Sequence, residues 1–277
     1  MRATADTIWQ VPAYLPYLQP PLTDAAVAAA ERQIGNKLPA EYLELLRKQN
    51  GGYIRLSLPE MVHDVIAGIG PHFPSLTGYE LADCQEYVSY SLKGLVPFDG
   101  DGHWYLCLDY RKNPDSPAVS HIDIELDLEG EVARSFADYL AMLRIDVEDE
   151  ENEFVLEAVA DVEAVKAALA TSLGVTFDAT DTWAHGYAIH RAKMGTDSDP
   201  QWLWLTPNLV PRGFARPDEA RYAELKDLMP GNAPRFPELP IESHLLSATE
   251  GVQSKVLEAC VKSGFLARPL REYLRRG

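Results

Sequence analysis

Cysteine is scarce in this chain, with three in 277 residues, Cys84, Cys107 and Cys260, odd in number and far apart. Such usage excludes a disulfide framework and points to a reducing compartment. No C-x-x-C pair is present, so no zinc site is indicated. No apolar run approaches the roughly 18–20 residues that cross a bilayer. The opening stretch MRATADTIWQVPAYLPYLQPPL has four prolines and no secretory hydrophobic segment. The expectation is a cytoplasmic protein with no membrane partner. A G-x-S-x-G elbow and a G-x-x-x-x-G-K-[ST] phosphate loop are both missing. No catalytic residue, metal or cofactor is expected. Basic residues are also few, 25 Lys and Arg against 42 Asp and Glu, for a net charge of −17. A field of that sign repels nucleic acid and attracts a basic partner.

The most informative stretch that is present is residues 22–52, LTDAAVAAAERQIGNKLPAEYLELLRKQNGG. Thr23 is a good N-cap for a helix carrying Val27, Ala30 and Ile34 on one face, and Gly35-Asn36 stops it. Pro39 suits the start of a second helix, with Glu41 near its positive end. Tyr42, Leu45 and Leu46 give that helix its apolar stripe, and Asn50-Gly51-Gly52 ends it.

Glu31, Ile34-Gly35, Leu38-Pro39, Tyr42, Leu46 and Asn50-Gly51-Gly52, in that order and spacing, resemble the signature of the SUKH superfamily (Smi/Knr-like proteins). Leu95-Val96-Pro97-Phe98, the turn Asp99–Gly102, the strand Trp104–Asp109 and the helix from Ser135 to Leu140 extend the likeness over residues 20–145. The resemblance implies a small α+β domain, an antiparallel sheet flanked by helices. It also implies a binding scaffold without a shared catalytic residue. Many bacterial relatives are immunity proteins that neutralise toxins, often nucleases; fungal relatives regulate cell-wall assembly and signalling.

The acidic charge is uneven. Residues 1–150 hold 24 Asp/Glu and 11 Lys/Arg, a net of −13, and residues 151–277 hold 18 and 14, a net of −4. Residues 120–129, SHIDIELDLE, alternate without a break. A single strand there sets Ile122, Ile124, Leu126 and Leu128 on one face and His121, Asp123, Glu125, Asp127 and Glu129 on the other. Like charges on one strand face repel. The row is either a solvated face or a docking row for Lys and Arg of a protein toxin domain with a basic surface. Asp123, Glu125, Asp127 and Glu129 are the leading partner-binding candidates. His103, Tyr105 and Asp109, on the face of the neighbouring strand opposite Trp104, Leu106 and Leu108, are weaker ones. A second acidic run, Asp146, Glu148, Asp149, Glu150 and Glu151, reads as a linker.

The expected organisation is a lead-in arm over 1–21, the SUKH-like domain over 22–150, and an unrecognised, α/β-type C-terminal domain or extension over 151–277. In that last part a helix is expected from Phe154 to Leu169 and another from Ser243 to Cys260. Strands are expected at 175–177, 183–193 and 201–206. Trp183, Trp202, Trp204 and Tyr187 are expected mainly in the core. The functional expectation is an immunity-type binding protein. A signalling or scaffold module is the alternative, and an enzyme centred on His185, His190 or Asp181 is a further one.

Overall fold

The computed structural model describes residues 3–275 apart from Glu60, Val62, 146–152, Ala158 and Ala160. The second acidic run therefore lies outside the described residues. The chain divides into two compact units, Met1–Ile145 and Asp146–Gly277. Both are mixed α+β, built on antiparallel sheets flanked by helices.

In the first unit, Thr23 caps helix α1 (Asp24–Ile34) by accepting from the Ala26 N–H at 3.2 Å. Gly35 closes it in the left-handed conformation at φ 82°, which glycine reaches without steric penalty. Helix α2 (Ala40–Lys48) begins directly after Pro39 and buries Tyr42, Leu45 and Leu46. Each of those side chains contributes about 1.5–3 kcal/mol by leaving water. They join Leu106 and Leu108 of the sheet, and Phe136 and Tyr139 of helix α3 (Phe136–Met142), in one core.

Four strands form an antiparallel meander: β1 (Leu95–Gly100), β2 (Trp104–Asp109), β3 (Ala118–Asp123) and β4 (Leu128–Ala133). Pro97, which has no N–H to donate, sits in edge strand β1 beside a register shift. Leu106, Leu108 and Val119 face the helical core. Tyr105, Cys107 and Ile122 point the other way, and the sequence leaves that face open. In the structure Leu81 and Leu92, with Tyr79, Val88 and Tyr90 around them, cover it as a second, smaller core. The reason is chemical: the face carries Tyr, Cys and Ile, and apolar area of that size is buried rather than solvated.

The second unit holds a five-stranded sheet. Its strands are β5 (Glu153–Leu156), β6 (His190–Lys193), β7 (Trp202–Pro207), β8 (His244–Ala248) and β9 (Ala267–Pro269). The spatial order is β9-β5-β8-β7-β6, with every pairing antiparallel. Leu156, Leu203, Leu205 and Leu246 pack beneath helices α4 (Val162–Leu173) and α5 (Glu250–Lys262). Two expected helices thus begin later than the apolar pattern suggests. Phe154-Val155-Leu156 is an interior strand paired on both edges, and so is the start of the Ser243–Cys260 stretch. Continuous apolar runs in doubly paired strands carry no alternation to distinguish them from helix. Of the expected strand over 183–193 only His190–Lys193 forms, and 175–177 contributes a single bridge, Phe177 to Ala192. Trp202 and Trp204 lie on the face away from the helices, rings 6.5 Å apart, and Trp183 is half exposed; these are not core positions.

Candidate functional site

The acidic stretch of the first unit is not one strand. Strand β3 ends at Asp123, the chain reverses through residues 124–127, and β4 starts at Leu128. The Asp123 carboxylate accepts from the Leu126 N–H at 2.8 Å, an Asx-type closure that competes with continued pairing. Asp127 takes φ 51°, a left-handed position that aspartate tolerates better than most side chains. Asp127 also accepts from the Ser89 N–H at 2.7 Å. The four-carboxylate row is therefore corrected. Asp123 pairs across the ladder with Leu128, and Glu129 with Ile122, so Asp123 and Glu129 point to opposite faces of the sheet. Leu126 and Leu128, expected inside, are 66% and 57% exposed. Separating the carboxylates around a turn relieves the repulsion that a single face would have concentrated.

Each candidate side chain has a definite setting. The exposed Glu125 carboxylate meets the His103 imidazole at 2.7 Å. Glu129 pairs with Arg111 at 2.7 Å. Asp109 is buried and bound twice by Arg111, at 2.9 and 2.7 Å, and by the Ser120 hydroxyl at 2.9 Å. Burial alone would raise the Asp109 pKa, but these donors outweigh it and hold it below the usual carboxylate value. Tyr105 is buried as well, under the Leu81–Leu92 cover. Tyr105 and Asp109 are therefore corrected from surface neighbours to buried positions, and Asp109, opposite Ala118, lies at the far end of its strand from the turn. Asp123, Glu125, Asp127, Glu129 and His103 remain together at one end of the meander.

The residues that carry the hairpin signature do something else. Tyr42 donates its hydroxyl to the Ala67 carbonyl at 2.5 Å. Glu31 accepts from the Leu38 N–H at 3.2 Å and from Lys37 Nζ at 2.5 Å, tying the end of α1 to the start of α2. Burial works against its ionisation, yet the two donors leave its pKa below the usual value. Asn50 donates to the carbonyls of Pro20 and Ile69, at 2.6 and 3.0 Å, and accepts from the Ile69 N–H at 2.8 Å. At Gly51 (φ 90°) a Cβ would stand 2.6 Å from the Gly68 nitrogen, so only glycine fits that crossing. These groups close loops on the fold and are not arranged around a substrate.

A buried polar chain that the sequence reading missed runs through the same unit. His63 Nδ1 lies 2.5 Å from Asp99 Oδ2, and His63 Nε2 lies 2.5 Å from the Tyr139 hydroxyl. All three side chains are buried, so the chain pins the loop at His63 to β1 and α3. No spacing rule links positions 63, 99 and 139, and only the fold brings them together. Cys107 is buried and free, its thiol pushed up first by burial and then by Asp109, which leaves it unreactive.

In the second unit His190 faces the core with Nδ1 3.1 Å from the Thr180 hydroxyl, His185 stacks on Tyr187, and Asp181 accepts from the Trp183 N–H. Each is engaged locally. Among the described residues no three side chains of His, Cys, Asp or Glu gather as a metal site, and no helix is long and apolar enough to cross a membrane.

No curated protein matches the chain. Residues 21–142 match the family model described as SMI1 / KNR4 family (SUKH-1). That span holds the capped hairpin, its loop-closing side chains and the four-stranded meander. It identifies the first unit of this protein as a SUKH superfamily domain of the SMI1/KNR4 (SUKH-1) family.

Proposed function

We propose that this chain is an immunity-type binding protein that neutralises a basic protein toxin domain by direct contact through the end of the meander. The observation that carries the reading is the cluster of Asp123, Glu125, Asp127 and Glu129 around one turn, on a domain whose family is one of binding scaffolds. Residues 125–129 are all exposed. Residues 1–145 hold 20 Asp/Glu and 11 Lys/Arg, a net of −9, so the turn adds a local concentration to an already negative unit. Carboxylates so placed steer a basic partner and raise its association rate more than its final affinity. His103, held by Glu125, belongs to the same patch, and the buried Tyr105 lies in the strand beneath it.

The test is titration against the catalytic domain encoded by the gene next to this protein's own, as the candidate toxin, at low and high salt. The variant combines Asp123→Asn, Glu125→Gln, Asp127→Asn and Glu129→Gln. The amides keep the acceptors that Leu126 and Ser89 use, so the turn is retained while four charges are removed. The association rate is expected to fall about tenfold or more at low salt, with the difference shrinking at high salt. An unchanged rate at low salt overturns the assignment of these residues.

A further inference from the structure

A groove of about 430 Å³ opens in the first unit between the C-terminal end of α1 and the chain from Leu76 to Pro97. Ile34, Leu76, Leu81, Leu92, Leu95 and Pro97 make its lining largely apolar. That volume lies in the range that accepts a small ligand or a few side chains. One wall is the 3-10 segment Leu81–Tyr87, whose outward residues Asp83 and Glu86 are exposed and acidic, as is the preceding Glu80. Among the described residues Lys93 is the one cation in the lining.

The groove and the acidic turn are joined. Gln85, in the groove wall, bonds to both Tyr90 and Leu92, through its amide N–H to the Tyr90 carbonyl at 2.8 Å and from the Leu92 N–H at 2.9 Å. Ser89 donates to Asp127, and the Tyr90 hydroxyl donates to the Leu128 carbonyl at 3.0 Å. The wall and the turn therefore form one braced surface. Two large side chains are exposed on it, Tyr87 at 65% and Leu126 at 66%, whereas Leu128, opposite Asp123, points to the other face of the sheet. Aromatic and aliphatic groups ringed by charge are the usual anchors of a protein interface.

We infer that the groove seats an apolar side chain of the same basic partner, carried on a segment flanked by Lys or Arg, with Tyr87 and Leu126 packing beside it. This rests on the immunity reading for the partner's identity but names a separate surface and a separate kind of contact. Charge complementarity selects the occupant. Glu80, Asp83 and Glu86 along the wall, with Asp127 tied to the following segment through Ser89, favour cationic flanks and disfavour an acidic peptide or nucleic acid. The apolar floor favours an uncharged tip.

Two variants test it. Ala82→Trp fills the groove from an exposed position on its wall. The double variant Tyr87→Ala, Leu126→Ala trims exposed side chains and leaves the cores untouched. Each is titrated with the neighbouring toxin domain, and the unmodified protein is also titrated with a lysine-flanked phenylalanine peptide and an aspartate-flanked control, followed by amide NMR shifts. The expected result is at least a tenfold loss of toxin affinity in both variants with the salt slope unchanged, and shifts at Leu81, Leu92 and Leu95 for the lysine-flanked peptide only. Toxin binding that is unaltered in both variants overturns the groove and leaves the acidic turn standing. If the toxin domain does not bind the unmodified protein, the immunity reading fails for that toxin, and the peptide decides the groove: selective shifts support it, and none, or equal shifts with the control, overturn it.

Discussion

Asn50 shows how much one side chain holds in this fold. Its three hydrogen bonds satisfy two backbone carbonyls and one N–H from segments 19 and 30 residues away. Asn50→Ala is expected to cost about 2–4 kcal/mol, because those backbone groups stay buried after the partner is gone. A urea titration measures this as a lower midpoint at unchanged slope. Asp109 gives a pH signature instead. Its folded pKa is depressed, so its ionised form adds stability above the unfolded carboxylate value of 3.8, and this is lost as pH falls through the lower folded value. Asp109→Asn is expected to flatten the acid arm of the stability profile. It also costs about 2 kcal/mol at neutral pH by weakening a charge-assisted pair to Arg111. An acid arm as steep as in the unmodified protein counts against this role.

At the scale of elements, the turn at residues 124–127 decides where the acidic groups go. Asp127 combines a left-handed backbone with acceptance from Ser89. Asp127→Asn keeps both properties and is expected to change stability by less than about 0.5 kcal/mol. Asp127→Ala loses both and is expected to cost about 1–2 kcal/mol in thermal or urea unfolding. The helical hairpin was fully legible, because capping residues and a 3.6-residue stripe agree over 22–52. The acidic segment was misread, because alternation over SHIDIELDLE fits an unbroken strand as well as two strands around a turn. What settles it is the pair of side-chain-to-backbone bonds at Asp123 and Asp127, and the pattern of apolar residues does not encode them. In the second unit the same limit appears twice, where doubly paired strands at Phe154–Leu156 and Leu245–Leu246 look helical by composition. The groove was invisible for a different reason: its walls come from α1, residues 76–85 and 92–97, which only tertiary packing assembles.

At the scale of the molecule, the main apolar core of each unit is drawn from that unit alone, one from Ala3 to Leu143 and one from Phe154 to Cys260, and the smaller core around Leu81 and Leu92 also lies within the first unit. A fragment ending at Ile145 is therefore expected to unfold in one cooperative urea transition, coincident by circular dichroism and tryptophan fluorescence. Non-coincident curves would show that the first unit needs the second. The hairpin signature also has a meaning for recognition. Tyr42, Asn50, Gly51 and Glu31 all spend their chemistry on the chain's own backbone or on an adjacent lysine, and none of them reaches the acidic turn or the exposed leucines. Those four positions are thus physically uncoupled from the acidic turn, whereas Ile34, Leu95 and Pro97 of the same likeness line the groove. Asp123 and Asp127 are bound into the turn, so the surface that can change its chemistry without disturbing the framework is the set of exposed side chains that hold no backbone group, Glu125 and Leu126 on the turn and Asp83 and Glu86 beside the groove.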